Sequence, residues 1–270
     1  MPEDHGVAPA RPAATVMLLR PSAAGAAAGG MEVLLMRRVE SMGFAPGAFV
    51  FPGGGVDGRD ADGNLPWTGP GPAEWAERLG TDVPMARALV CAAVRETFEE
   101  TGVLLASEPE RAGGDAITVD TTTADWERDR LGLIDRSRSF TEVLARRGLV
   151  LRSEWLRAWA RWITPEAEKR RYDTFFFVAE LPPGQEPRDV GGEADLTQWC
   201  DPAAVQDEWA AGRMPMLPPT IASCAEVAER GTLDGVWEAR RDIVPIEPEI
   251  REKDGKVWAV LPSGVEFALG

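Results

Sequence analysis

Between Arg95 and Val103 the chain reads Arg-Glu-Thr-Phe-Glu-Glu-Thr-Gly-Val. On a helix Glu96 and Glu100 stand at i and i+4, with Glu99 at i+3, so three carboxylates gather on one flank. Like charges at this spacing repel. A hard divalent cation relieves the repulsion, because Mg²⁺ and Mn²⁺ take oxygen ligands and favour carboxylates, carbonyls and water. For Glu-rich helices in general a solvated acidic face is the commoner outcome. The upstream Phe51-Pro52-Gly53-Gly54 tilts this case toward a bound cation.

The elements around this turn read as a mixture of strands and helices. Residues 85–101 lack Gly and Pro and are followed by Gly102, which predicts a helix with a natural stop. Val90, Cys91, Val94, Phe98 and Thr101 fall opposite the acids, so that face packs on a sheet while the acidic flank points outward, with Ala92 and Ala93 beside it. Cys91 belongs to the core face. Residues 13–20 and 31–38 read as strands joined by a flexible small-residue loop, and Phe49–Phe51 as a short strand ending at Pro52. Residues 58–84, with Trp67 and Trp75 and a short helix at 73–79, resemble an insertion rather than core. Residues 124–160 read as mostly helical, with Trp155, Trp159 and Trp162 as a buried helix stripe. A strand follows at 174–181, another at 196–200, helices at 201–212 and 220–230, and a terminal hairpin at 256–268. The pattern is that of an α/β layered fold.

Composition narrows the function. The chain has 270 residues, enough to bury one large core, and a formal charge of −15 that disfavours a general grip on nucleic-acid backbones. Its one histidine, His5, sits in a Pro-, Ala- and Gly-rich stretch expected to be disordered, which removes histidine triads and histidine-ligated zinc. Cys91, Cys200 and Cys224 show no metal-knuckle spacing and suggest a reducing cytoplasm. No apolar run is long enough to span a bilayer, so a soluble protein without membrane or nucleic-acid partners is expected.

The segment resembles the signature of the Nudix hydrolases, G-x5-E-x7-R-E-U-x-E-E-x-G-U, where U is bulky and apolar. Arg95, Glu96, Glu99, Glu100, Gly102 and Val103 match its second half. The first half departs: Gly54 precedes Arg95 by 41 positions where the signature expects 14, which leaves 27 extra residues. Arg87 stands eight positions before Arg95 in place of a glutamate, and Thr97 fills an apolar slot. A subgroup resembling the mitochondrial and peroxisomal coenzyme A diphosphatases carries an insertion here. It also shares the Gly43-Phe44-Ala45-Pro46 run, Val50-Phe51-Pro52-Gly53-Gly54, Trp162-Ile163-Thr164-Pro165, Arg171-Tyr172-Asp173-Thr174-Phe175-Phe176 and Leu217-Pro218-Pro219.

The resemblance implies an α/β/α sandwich with a mixed sheet and helical insertions. Beside it the expected organisation is a disordered N-terminal tail over 1–12 and a single domain over 13–270, with insertions near 58–84 and 106–160. The implied activity is metal-dependent hydrolysis of a nucleoside diphosphate linked to another moiety, foremost coenzyme A or an acyl derivative. NADH, ADP-ribose or another nucleotide is an alternative substrate, and a nucleotide-binding module without turnover is an alternative class. Mg²⁺ or Mn²⁺ would be held by Glu96, Glu99 and Glu100, with a carbonyl at a sharp Gly53-Gly54 bend as a further ligand. Arg95 would orient a carboxylate. Glu193 is the leading extra ligand or general base, against the plain reading of a surface glutamate in a Gly-rich loop. Arg37, Arg38, Arg170 and Arg171 could meet phosphates but read first as solvated edge residues, and Trp67 and Trp75 as pins for their loop. Relatives that pair imply that a homodimer is compatible with this chain.

Overall fold

The computed structural model describes residues 7–22, 30–43, 45–109, 118–253 and 255–268. His5, Phe44 and most of the loop expected between the first two strands lie outside the described residues. The strands are β1 (Arg11–Pro21), β2 (Met31–Arg38), β3 (Phe49–Val50), β4 (Gly53–Gly55), β5 (Trp67–Thr68), β6 (Ala106–Ser107), β7 (Val150–Arg152), β8 (Leu156–Ile163), β9 (Tyr172–Glu180), β10 (Ala194–Cys200), β11 (Pro245–Ile246), β12 (Glu249–Lys253), β13 (Lys256–Val260) and β14 (Glu266–Ala268). The helices are α1 (Pro72–Leu79), α2 (Val83–Thr101), α3 (Ala124–Ile134), α4 (Phe140–Arg147), α5 (Ala204–Ala210), α6 (Pro218–Ala228) and α7 (Leu233–Glu238).

The main sheet runs β10-β2-β1-β9-β8-β11, with β3 on β2 and β4 on β1. It is mixed, since β1 pairs parallel with β9 and antiparallel with β2 and β4. Residues 13–19 of β1 and 175–179 of β9 are buried and almost wholly apolar because both faces are covered there. Ala14, Val16 and Leu18 of β1 and Phe175 and Phe177 of β9 pack into the core under α1 to α4. Met17, Leu19, Phe176 and Val178 point the other way, toward Val205, Ile221, Cys224 and Val236 of α5 to α7. The result is the expected three-layer α/β/α sandwich. No described helix is long and apolar enough to cross a membrane.

Three expectations change. Residues 153–163 are not helical: a short 3₁₀ turn leads into β8, whose antiparallel pairing with β9 overrides the helix-friendly residues. A bulge between Ala158 and Ala160 shifts the alternation, so Leu156 and Ala158 pack toward one core while Trp159 and Trp162 pack into the other. The tryptophans are therefore buried through a bulge in a strand rather than by a helical stripe, and Trp155 packs on the opposite side. Within the segment expected as a tail, β1 begins at Arg11, and the Arg171 guanidinium donates to the Ala8 carbonyl at 2.9 Å. Residues 58–84 contribute core, since Trp75 and Leu79 are fully buried and Trp75 meets Phe177 edge-on at 5.8 Å.

Candidate active site

Helix α2 starts where the Asp82 side chain accepts the Met85 N–H at 2.8 Å, and it stops at Gly102, whose φ of 75° closes the last turn. Leu89, Val90, Cys91, Ala92, Ala93, Val94 and Phe98 are all buried. Ala92 and Ala93 thus pack into the core and offer no open surface to a ligand. Thr97 tolerates its apolar slot because its hydroxyl donates to the Ala93 carbonyl at 2.8 Å.

The acidic flank does not face open solvent. It lies against β4 and a capped 3₁₀ turn at Gly58–Ala61, and the Glu96 and Glu99 side chains are 14% and 11% exposed. Arg95 organises it. Its Nη1 donates to Glu96 at 2.8 Å and Glu99 at 3.0 Å, its Nη2 to the Gly55 carbonyl at 3.0 Å, and its Nε and Nη2 to the two oxygens of Asp60, each at 2.9 Å. Asp60 is buried and also accepts from the Cys91 thiol and the Asp57 N–H. Asp60 was missed by counting back eight places from Arg95. Counted forward, it is the sixth residue after Gly54, where the signature sets its early acid, so the extra residues intervene between Asp60 and Arg95. Arg87 instead lies over the Trp67 ring.

Gly53 to Gly55 form a strand rather than a sharp bend, and none of the three has a positive φ. The glycines answer close approach. A Cβ on Gly53 would sit 2.5 Å from the Ala14 carbonyl oxygen, and one on Gly54 would sit 2.6 Å from the Glu96 carboxylate. The Gly53 N–H donates to Glu100 at 2.8 Å.

This packing pushes the carboxylates toward the neutral form. Burial raises Glu96 to about 7, with Arg95 opposing and Glu99 adding to the rise. Burial likewise raises Glu99 against the pull of Arg95. Glu100 is pushed well above the carboxylate range by burial and by Glu96, with the Gly53 N–H opposing. Burial works against the Arg95 charge, but hydrogen-bonded Asp60 and the charges of Glu96 and Glu99 outweigh it and raise its pKa.

Three crowded carboxylates form a donor set that suits a hard divalent cation. Among the described residues, however, no three Asp, Glu, Cys or His side chains already converge into a metal cage. Glu96 and Glu99 are drawn onto Arg95, and Glu100 onto Gly53. The set fits a cation by the chemistry of its donors.

Two chambers meet at this turn. One, of about 600 Å³, extends toward Asp57, Leu133, Ile134 and Arg136. The other, of about 750 Å³, extends toward Phe51, Trp162, Phe176, Leu217 and Pro218. Glu96, Glu100, Arg38, Tyr172 and Glu193 line both. Glu193 is 62% exposed and lies 3.7 Å from Arg38, so the structure brings both to the cleft. Arg170 borders the second chamber. Arg37 pairs with Asp195, and Arg171 is buried against Thr164 and Glu247. Trp67 donates to the Pro70 carbonyl and pins its loop. A second residue missed in the sequence is Arg130 of α3, which donates to the Glu99 carbonyl at 2.7 Å and the Val190 carbonyl at 3.4 Å, tying α2 to the loop before Glu193.

A family model described as the NUDT19 Nudix domain matches residues 70–227. The chain is 30% identical over 240 residues to the acyl-coenzyme A diphosphatase NUDT19 of Homo sapiens, covering 76% of this chain and 62% of that protein. It is 26% identical over 218 residues to the protein of the same name from Xenopus laevis, covering 70% of this chain and 57% of that one. It thus spans less than two thirds of the length of these relatives. The crystal structure of a NUDIX hydrolase from Alicyclobacillus acidocaldarius superposes with a TM-score of 0.70 at 27% identity, covering 88% of this chain and 99% of that one.

Proposed function

The chain belongs to the Nudix family, in its NUDT19 branch, and on that premise we propose that it hydrolyses the diphosphate of coenzyme A or an acyl-coenzyme A. The products would be 3′,5′-ADP and 4′-phosphopantetheine or its acyl form. The observation that carries the reading is the position of the acidic turn at the junction of two chambers, where Glu96 and Glu100 line both. A diphosphate held there sends one half of its substrate into each. The chamber with Phe51, Trp162 and Phe176 suits an uncharged arm.

A bound Mg²⁺ or Mn²⁺ would neutralise diphosphate charge and support attack by water. Glu96, Glu99 and Glu100 would hold it, with the Gly53 carbonyl as a neutral donor. Arg95, anchored by Asp60, keeps Glu96 and Glu99 side by side. Glu193, across the cleft, accepts the proton as a water oxygen bonds to one phosphorus and the bridging P–O bond breaks to release the other phosphate. The test is incubation with Mg²⁺ and a panel of coenzyme A, acyl-coenzyme A, NADH and ADP-ribose, with products identified by mass. Release of 3′,5′-ADP from the coenzyme A members is expected. Cleavage confined to NADH or ADP-ribose would overturn the substrate, and no cleavage of any member would favour a binding module.

A further inference from the structure

The chambers differ at their far ends, and the difference is built by the turn between α3 and α4. Arg136 there has a φ of 63°, a left-handed conformation rare for a residue with a side chain. Neighbours hold it. Arg59 donates to the Arg136 and Arg138 carbonyls at 3.1 and 3.2 Å, and Asp135 accepts the Ser137 N–H at 2.8 Å. The outcome is a guanidinium at the lip of the first chamber, 77% exposed, whose nearest acid among the described residues is Asp57 at 3.9 Å. Asp57 is already paired with Arg59 through both of its oxygens. Arg138, two residues on, is committed to the buried Asp129. Ile134 on the same wall is 50% exposed, an apolar shelf beside an available cation.

In a chain of net charge −15, a cation left weakly paired at the mouth of an acidic cleft suits a second anionic group on the substrate. We propose that Arg136 grips the 3′-phosphate of the nucleotide end of coenzyme A while Ile134 supports the adenine, which fixes the substrate's direction and leaves the pantetheine arm to the chamber of Phe51, Trp162 and Phe176. The proposal rests on the coenzyme A reading above. It makes Arg136 a specificity residue, since a nucleotide lacking that phosphate gains nothing from it.

The experiment compares kcat/KM for coenzyme A and 3′-dephospho-coenzyme A in the wild type and three variants. Asn tolerates a positive φ, so Arg136→Asn removes the charge without disturbing the turn. Charge-assisted contacts of this kind correspond to roughly 10- to 100-fold preferences. The wild type should prefer coenzyme A within that range. Arg136→Asn should bring the ratio toward one through KM, Arg136→Lys should keep part of it, and Arg170→Ala at the other chamber should retain the wild-type ratio. A ratio unchanged in Arg136→Asn, or lost in Arg170→Ala, overturns the proposal. If the wild type cleaves neither substrate, the coenzyme A reading fails separately, and calorimetry of 3′,5′-ADP against 5′-AMP decides the site. A preference for 3′,5′-ADP that Arg136→Asn abolishes supports it, and equal affinities overturn it.

Discussion

Arg95 and Asp60 form the pair on which the acidic turn is built. Asp60 meets the guanidinium through both oxygens, which leaves Nη1 to hold Glu96 and Glu99 together. Asp60→Asn is expected to lower kcat/KM by about 10- to 100-fold, the usual scale for a partner one step removed from a metal ligand. Steady-state kinetics across a Mg²⁺ titration would check it, since a looser donor set raises the concentration needed for half activity. Glu100→Gln removes a proposed ligand and should cost more than about 100-fold. Activity near wild type at saturating Mg²⁺ would refute that role. The variant should fold, because Glu100 is held by the Gly53 N–H, which an amide oxygen can also accept. Burial already disfavours the Glu100 charge, so its melting temperature in chelator at neutral pH should equal or exceed that of the wild type.

Among elements, β4 shows how two adjacent glycines serve different ends. A Cβ on Gly53 would meet the backbone of β1, which cannot yield, whereas one on Gly54 would meet the end of the Glu96 side chain, which can swing away. Gly53→Ala is therefore expected to destabilise the fold by about 1–3 kcal/mol. Gly54→Ala should keep the melting temperature within a few degrees and lose activity by displacing Glu96. Denaturation and kinetics on the pair would separate the two, and equal losses of stability would contradict the account. Element legibility follows the same local-versus-distant division. Helix α2 was readable because Gly102 and the residues from 85 onward carry its signals within one segment. β8 was not, because Trp, Leu, Arg and Ala fit either conformation, and only pairing with β9 through a bulge at Trp159 decides between them.

For the whole molecule, burying Glu96, Glu99 and Glu100 links folding to pH and to cation binding. Glu96 titrates near its ordinary 4.5 when unfolded and at about 7 when folded, so between these values the folded chain holds more protons. Without a cation, stability is expected to fall as pH rises through that window, and the raised Glu99 and Glu100 act in the same direction. A divalent cation offsets the repulsion, so the rise in melting temperature on adding Mg²⁺ should be larger at about pH 8 than at about pH 5. Thermal melts with Mg²⁺ and with chelator test this, and a gain independent of pH would count against a cation among these acids. What the sequence alone determined was the layered fold, the acidic helix and the family resemblance, because these rest on periodicity and on spacing within short segments. Tertiary structure decided which carboxylate anchors Arg95, what a side chain at Gly53 or Gly54 would meet, and where Arg136 stands. Each of these depends on contacts between segments tens of residues apart, which one-dimensional spacing does not encode.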